Sequence, residues 1–143
     1  MRTTPTNPLA DHVVLIGTGE TAVAALWRLC AAGARIRWYA DHADVGEEAV
    51  LAHALGGGRI ELCFDDPRTA PLGGAAAVVT ARGDGRDLQI AERARADAVP
   101  VHVAGRPDLS SVMLTDLECA ARVAWNGRRG GERAISWLRA VRA

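Results

Sequence analysis

Residues 17–22 read Gly-Thr-Gly-Glu-Thr-Ala, directly after the apolar run His12-Val13-Val14-Leu15-Ile16 and directly before a helical pattern. A strand that turns through G-x-G-x-x-A into a helix has the geometry that holds the pyrophosphate of a dinucleotide. Gly17 lets the chain turn tightly, Gly19 lets the backbone approach the phosphates, and Ala22 is small enough for the helix to pack on the sheet. The free N–H groups and positive dipole end of the helix then face the anion. Thr18, Glu20 and Thr21 complete the turn; Glu20 places negative charge near a bound pyrophosphate, which is adverse, although an acid in the first turn gains from the helix dipole. Asp41 falls about 20 residues beyond the glycines, where a carboxylate accepts from both ribose hydroxyls and favours NAD. It fits a solvated turn equally well, and Arg35 and Arg37 would suit a 2′-phosphate if they point inward.

Other candidate groups lie at or after the ends of later apolar runs. Ala81 closes one such run and belongs with the cofactor-binding set. Arg82, Arg86, Arg106, Arg128 and Arg129 are placed to meet carboxylates in fork geometry, although most arginines in loops are simply solvated. His102 sits on the last strand near the crevice, where it would accept a proton or approach a metal, or serve only as a satisfied core histidine. His12, His42 and His53 lack companions at ligand spacing, so no metal site is expected. Ser110, Ser111 and Asp108 most simply cap a following helix, and no Ser/His/Asp triad is read.

Composition narrows the classes. The 143 residues carry 17 acidic and 17 basic side chains, net zero, spread along the chain, so neither a nucleic-acid footprint nor a membrane-surface patch is expected. Every basic residue is arginine, which excludes a P-loop lysine and a Schiff-base lysine. Cys30, Cys63 and Cys119 show neither disulfide nor zinc spacing and read as small buried hydrophobes in a reduced compartment. No apolar run approaches a membrane span of about 18 residues and no signal-peptide core opens the chain, so a cytoplasmic location is expected.

The elements that must position these groups follow from periodicity. Strands are predicted over 12–16, 35–39, 59–64, 75–80 and 99–103, and helices over 20–32, 45–55 and 87–96. Gly33 and the Gly56-Gly57-Gly58 run serve as helix stops. The alternation demands an α/β, Rossmann-like parallel sheet with helices on both faces, and a ligand crevice at the carboxyl ends of the strands. Residues 1–107 form this dinucleotide-binding domain. Residues 108–143 form a short C-terminal strand-helix extension, with a helix over 108–117, a strand over 122–125 and a last helix over 132–141. Trp27, Trp125 and Trp137 are read as core or interface anchors.

The order of segments resembles the N-terminal dehydrogenase module of siroheme synthase, the precorrin-2 dehydrogenase/sirohydrochlorin ferrochelatase family. That family's G-G-G-x-V-A and E-A-G-A-x-V stand here as Gly17 to Ala22 and as Ala31-Ala32-Gly33-Ala34-Arg35-Ile36. Its A-A-T-D-D-x-x-x-N is matched by Val79 to Asp87, its N-V-x-D-x-P-x-x-x-x-F by His102 to Val112, and its V-A-V-S-S-G-G by Val123 to Gly131. The resemblance implies oxidation of precorrin-2 to sirohydrochlorin with NAD, with Arg82, Arg106, Arg128 and Arg129 on the tetrapyrrole carboxylates. The family's proton-handling acid falls on Gly105, its T-D-D on Ala81-Arg82-Gly83, its asparagine on Asp87, and its early basic pair on Ala24-Ala25. His102 and Asp108 are therefore the substitutes expected to handle the proton. The alternative is a catalytically inactive relative that binds a nucleotide or a tetrapyrrole. The family also dimerises through the segment after N-V-x-D, and Val112 to Leu117 with Trp125, Ile135, Trp137, Leu138 and Val141 imply a homodimer here.

Overall fold

The computed structural model describes residues 12–40 and 60–126. Five strands, β1 (His12–Ile16), β2 (Arg35–Tyr39), β3 (Ile60–Cys63), β4 (Ala77–Thr80) and β5 (Val101–Val103), alternate with helices α1 (Glu20–Ala31), α2 (Arg86–Ala96) and α3 (Leu114–Asn126). The sheet is parallel throughout, in the order β3-β2-β1-β4-β5. The order reverses direction between β1 and β4, the switch point where the carboxyl ends of an open parallel sheet leave a crevice.

Strand alternation divides the core between the two faces. Val13 and Leu15 of β1 pack with Leu26 and Leu29 of α1 and with Leu117, Ala120 and Ala121 of α3. Val14 and Ile16 pack on the opposite face with Ile90, Ala91 and Ala94 of α2. Both faces of the central strands β1 and β4 are covered, so these two read as near-continuous apolar runs, whereas β2 carries Arg35 and Arg37 and β3 carries Glu61. α1 ends where expected: Gly33 takes φ +93°, and the Ala34 N–H returns to the Leu29 carbonyl at 3.0 Å.

The segment after β5 departs from expectation. No helix forms over 108–113. Instead Ser111 Oγ accepts from the Val101 N–H and Ser110 Oγ from the Val103 N–H, both at 2.9 Å. The two serines thus satisfy the outer edge of β5 and do not cap a helix, as an exposed strand edge requires partners. α3 starts later, with Asp116 Oδ2 accepting from the Met113 N–H at 3.1 Å, half of a capping box. The strand expected over 122–125 is the end of this helix. Apolar residues at 114, 117, 120 and 121 carry the helical period up to Arg122, and the helix continues through Val123 against its strand preference.

Expectations for the helix over 45–55, the helix over 132–141, Asp41, His42, His53, Arg128, Arg129, Ile135, Trp137, Leu138 and Val141 lie outside the described residues, as does the side chain of Trp125. Cys30 is buried, Cys63 half-buried and Cys119 exposed, so the reading of all three as core hydrophobes fails at Cys119, which lies on the outer side of α3. No helix among the described residues is long and apolar enough to cross a membrane, and none of their acidic, histidine and cysteine side chains form a metal-binding group.

Candidate functional site

The β1–α1 turn is fixed from both neighbouring strands. The Gly17 N–H donates to the Tyr39 carbonyl at 3.1 Å, and the buried Trp38 indole donates from Nε1 to the Gly17 carbonyl at 2.6 Å. On the other side the Ala81 N–H donates to the Ile16 carbonyl at 2.9 Å. Gly17 takes φ +127°, and a Cβ there would lie 2.9 Å from the Ala81 carbonyl oxygen and 3.4 Å from the Ala22 Cβ. Only glycine fits this position without displacing backbone. Ala81 therefore acts as the floor of the turn, and Ala22 is fully buried beneath it.

Gly19 serves differently. It is the N-cap of α1 in extended geometry (φ −72°) and, lacking a side chain, makes no cap bond of its own. A Cβ on Gly19 would meet nothing within 4 Å. The fold tolerates a side chain there, so the glycine leaves open space over the N-terminal N–H groups of α1. Glu20 and Thr21 lie exposed on the same turn.

The loop after β4 is held by Asp87, the residue that stands at the family's asparagine and to which sequence reasoning assigned no role. Asp87, 4% exposed on the first turn of α2, accepts from the Thr80 hydroxyl at 2.6 Å, the Arg82 N–H at 3.1 Å and the Gly83 N–H at 2.8 Å. Its charge also lies at the positive end of the helix dipole. The sequence signal was an acid in the first turn of a helix behind a buried strand.

Beside the turn lies a cavity of about 290 Å³ between α1 (Thr21, Ala24, Ala25, Arg28), the end of β5 (His102, Ala104, Gly105) and the start of α3 (Met113, Leu114, Thr115). His102 is buried, with Nδ1 3.3 Å from the Val112 carbonyl oxygen. A carbonyl only accepts, so Nδ1 carries the proton and Nε2 is left with a lone pair. Burial, joined by the nearby Arg28 charge, pulls the imidazole below its ordinary value, against the smaller effect of the Val112 bond. Arg28 reaches across to Glu118 of α3 in an ion pair.

Of the residues expected at the site, the cavity brings Thr21 and His102 together. Asp108 is elsewhere: it pairs at 2.8 Å with Arg106, both exposed, and that hydrogen-bonded guanidinium holds its carboxyl below the usual carboxylate range. Arg82 is half-buried on the loop that Asp87 braces. Arg86 pairs with Asp84.

A family model described as "Putative NAD(P)-binding" matches residues 7–116. The chain belongs to this family. The match spans all five strands, α1 and α2, and so includes both glycines of the turn, the Asp87 brace and the His102 wall of the cavity. No curated protein and no solved structure matches the chain. A nicotinamide dinucleotide is compatible with the family's fold here: Gly17 makes the turn, and the open side of Gly19 and the N–H groups of the first turn of α1 would face its pyrophosphate.

Proposed function

We propose that this NAD(P)-binding chain is a dehydrogenase of the siroheme synthase type that uses NAD to convert precorrin-2 to sirohydrochlorin. The observation that carries the reading is the adjacency of the open α1 turn at Gly19 to a cavity walled by His102. The order of segments along the chain, shared with that family, supplies the substrate. When bound, the nicotinamide dinucleotide supplies the hydride acceptor.

The reaction removes a hydride and a proton from the substrate, and the chain must take the proton. Gly105 has no side chain to do so, and Asp108 is engaged by Arg106 outside the cavity lining. His102 is suited: its Nε2 lone pair is fixed by the Nδ1–H bond to Val112, and burial keeps it neutral near physiological pH. We assign substrate carboxylates to Arg82 and Arg106, at the carboxyl ends of neighbouring strands but outside the cavity lining, and Arg106 would exchange Asp108 for such a carboxylate. Asp87 acts only as a brace for the loop that carries Arg82.

A second reading, a module that binds without chemistry, is favoured by Gly105 and by the Arg106–Asp108 pair. Incubation with NAD and precorrin-2 separates the two. The dehydrogenase reading expects reduced nicotinamide and the sirohydrochlorin spectrum in equal amounts, with both lost in His102→Phe. Binding of NAD or sirohydrochlorin with no turnover would leave the second reading. We further propose a homodimer formed through residues after Asp108; light scattering that gives a single 15.1 kDa species would reject it.

A further inference from the structure

The cavity beside α1 exists because four small residues meet there: Ala24 and Ala25 on one wall, Ala104 and Gly105 on the other. Protein interiors and their margins close-pack wherever side chains permit, so a hollow of about 290 Å³ is more than the fold requires. Its size is at the small end of ligand pockets, enough for one flat ring and a short arm and too little to enclose a macrocycle. Ala24, Ala25, Ala104, Met113 and Leu114 make the walls mostly apolar, which suits the faces of a ring.

The polar groups on the rim select the substituents. His102 offers an acceptor, since its Nδ1–H is committed to Val112, and an acceptor demands an N–H or O–H from the ligand. Arg28 offers donors. Its guanidinium gives one Nη to Glu118 and keeps further N–H groups of a rigid fork, and its side chain is 46% exposed at the cavity mouth. Glu118, much less exposed, steers that fork and does not fill the hollow.

We propose that this cavity binds a flat ring bearing an N–H and a carboxylate arm, the N–H donating to His102 Nε2 and the carboxylate accepting from Arg28. The inference rests on the reading of the cavity as the substrate side of the nucleotide turn. Such a ring is either a free monocyclic acid or one ring of a larger tetrapyrrole whose remainder stays outside the mouth.

Three probes isolate the two contacts: pyrrole-2-carboxylate carries both groups, benzoate lacks the N–H, and pyrrole lacks the carboxylate. Each is titrated into full-length protein with ¹⁵N-labelled histidine, with the His102 Nε2 resonance as readout. Pyrrole-2-carboxylate is expected to bind at least about tenfold more tightly than either analogue, because a missing partner leaves a polar group unpaired. It should move the His102 resonance, and Arg28→Gln should abolish its advantage over pyrrole while the far-ultraviolet circular dichroism of the folded chain stays unchanged. Uroporphyrin I is the fourth probe: if it moves the same resonance the ring belongs to a macrocycle, and if it does not while the monopyrrole does, the ligand is a free acid. Equal binding of benzoate, or no His102 response at millimolar pyrrole-2-carboxylate, overturns the proposal. NAD titrated in parallel keeps the two readings apart, since NAD binding without ring binding removes only this inference.

Discussion

Replacing Asp87 by alanine should destabilise the protein by about 3 kcal/mol. The carboxylate is 4% exposed and receives three hydrogen bonds, from the Thr80 hydroxyl and from the Arg82 and Gly83 N–H groups. Hydrogen bonds to a charged group contribute roughly 1.5–3 kcal/mol each, and the gross loss is offset in part because a buried charge no longer has to be desolvated. For a chain of this size the change corresponds to a fall in Tm of roughly 6–12 °C. Asp87→Asn provides an internal comparison. Its carbonyl oxygen can still accept from Thr80 and Arg82, but its NH₂ group would face the Gly83 N–H, so the expected loss is about 1–2 kcal/mol. Thermal unfolding followed by circular dichroism measures both. Near-native Tm for Asp87→Ala, or a larger loss for the asparagine than for the alanine, would show that the loop after β4 does not depend on this carboxylate.

Gly17→Ala should destabilise by about 2–4 kcal/mol, from the positive φ together with the Cβ contact on Ala81, which chemical denaturation will read directly. Stability should fall as pH drops below 6.5: His102 titrates lower in the folded chain than in the unfolded one, so the unfolded state gains protons first, and the loss levels off below the folded value. His102→Phe should flatten that slope in urea titrations at stepped pH. Ser110→Ala and Ser111→Ala each leave an edge N–H of β5 without its hydroxyl acceptor and should lower stability by about 1 kcal/mol. Iodoacetamide should label exposed Cys119 first, half-buried Cys63 more slowly because burial pushes its thiol up, and buried Cys30 last, as mass spectrometry of timed samples would show.

The sheet was legible because β1 and β4 are short apolar runs next to clear glycine and helix signals, and both chain periods agree there with the final fold. The extension was not. Ser110 and Ser111 look like helix caps in sequence, since local hydroxyls usually serve the next helix. Here the unpaired edge of β5 claimed them, a partner that exists only once the sheet has formed. Arg122 to Trp125 read as a strand by residue type alone, and contacts of α3 with α1 decided otherwise. At the site, the glycine turn was visible, and the structure shows the tight turn expected at Gly17 and open space beside Gly19. The holding roles of Trp38 at the turn and of Asp87 at the facing loop were not visible, because a buried indole donor and a buried carboxylate resemble ordinary core and first-turn residues until their partners are in place.

Calorimetric titration of NAD and NADP into the wild-type chain and into Gly19→Ser tests the central claim most directly. Serine is a favourable N-cap and its Cβ meets nothing here, so the variant should unfold at the wild-type temperature or slightly above it. Its side chain nevertheless occupies the open space over the α1 turn and its hydroxyl takes up an N–H intended for pyrophosphate, so dinucleotide affinity should fall at least about tenfold, near 1.4 kcal/mol or more. Wild-type chain that binds neither dinucleotide, or a Gly19→Ser variant that binds as tightly as wild type, would contradict the account.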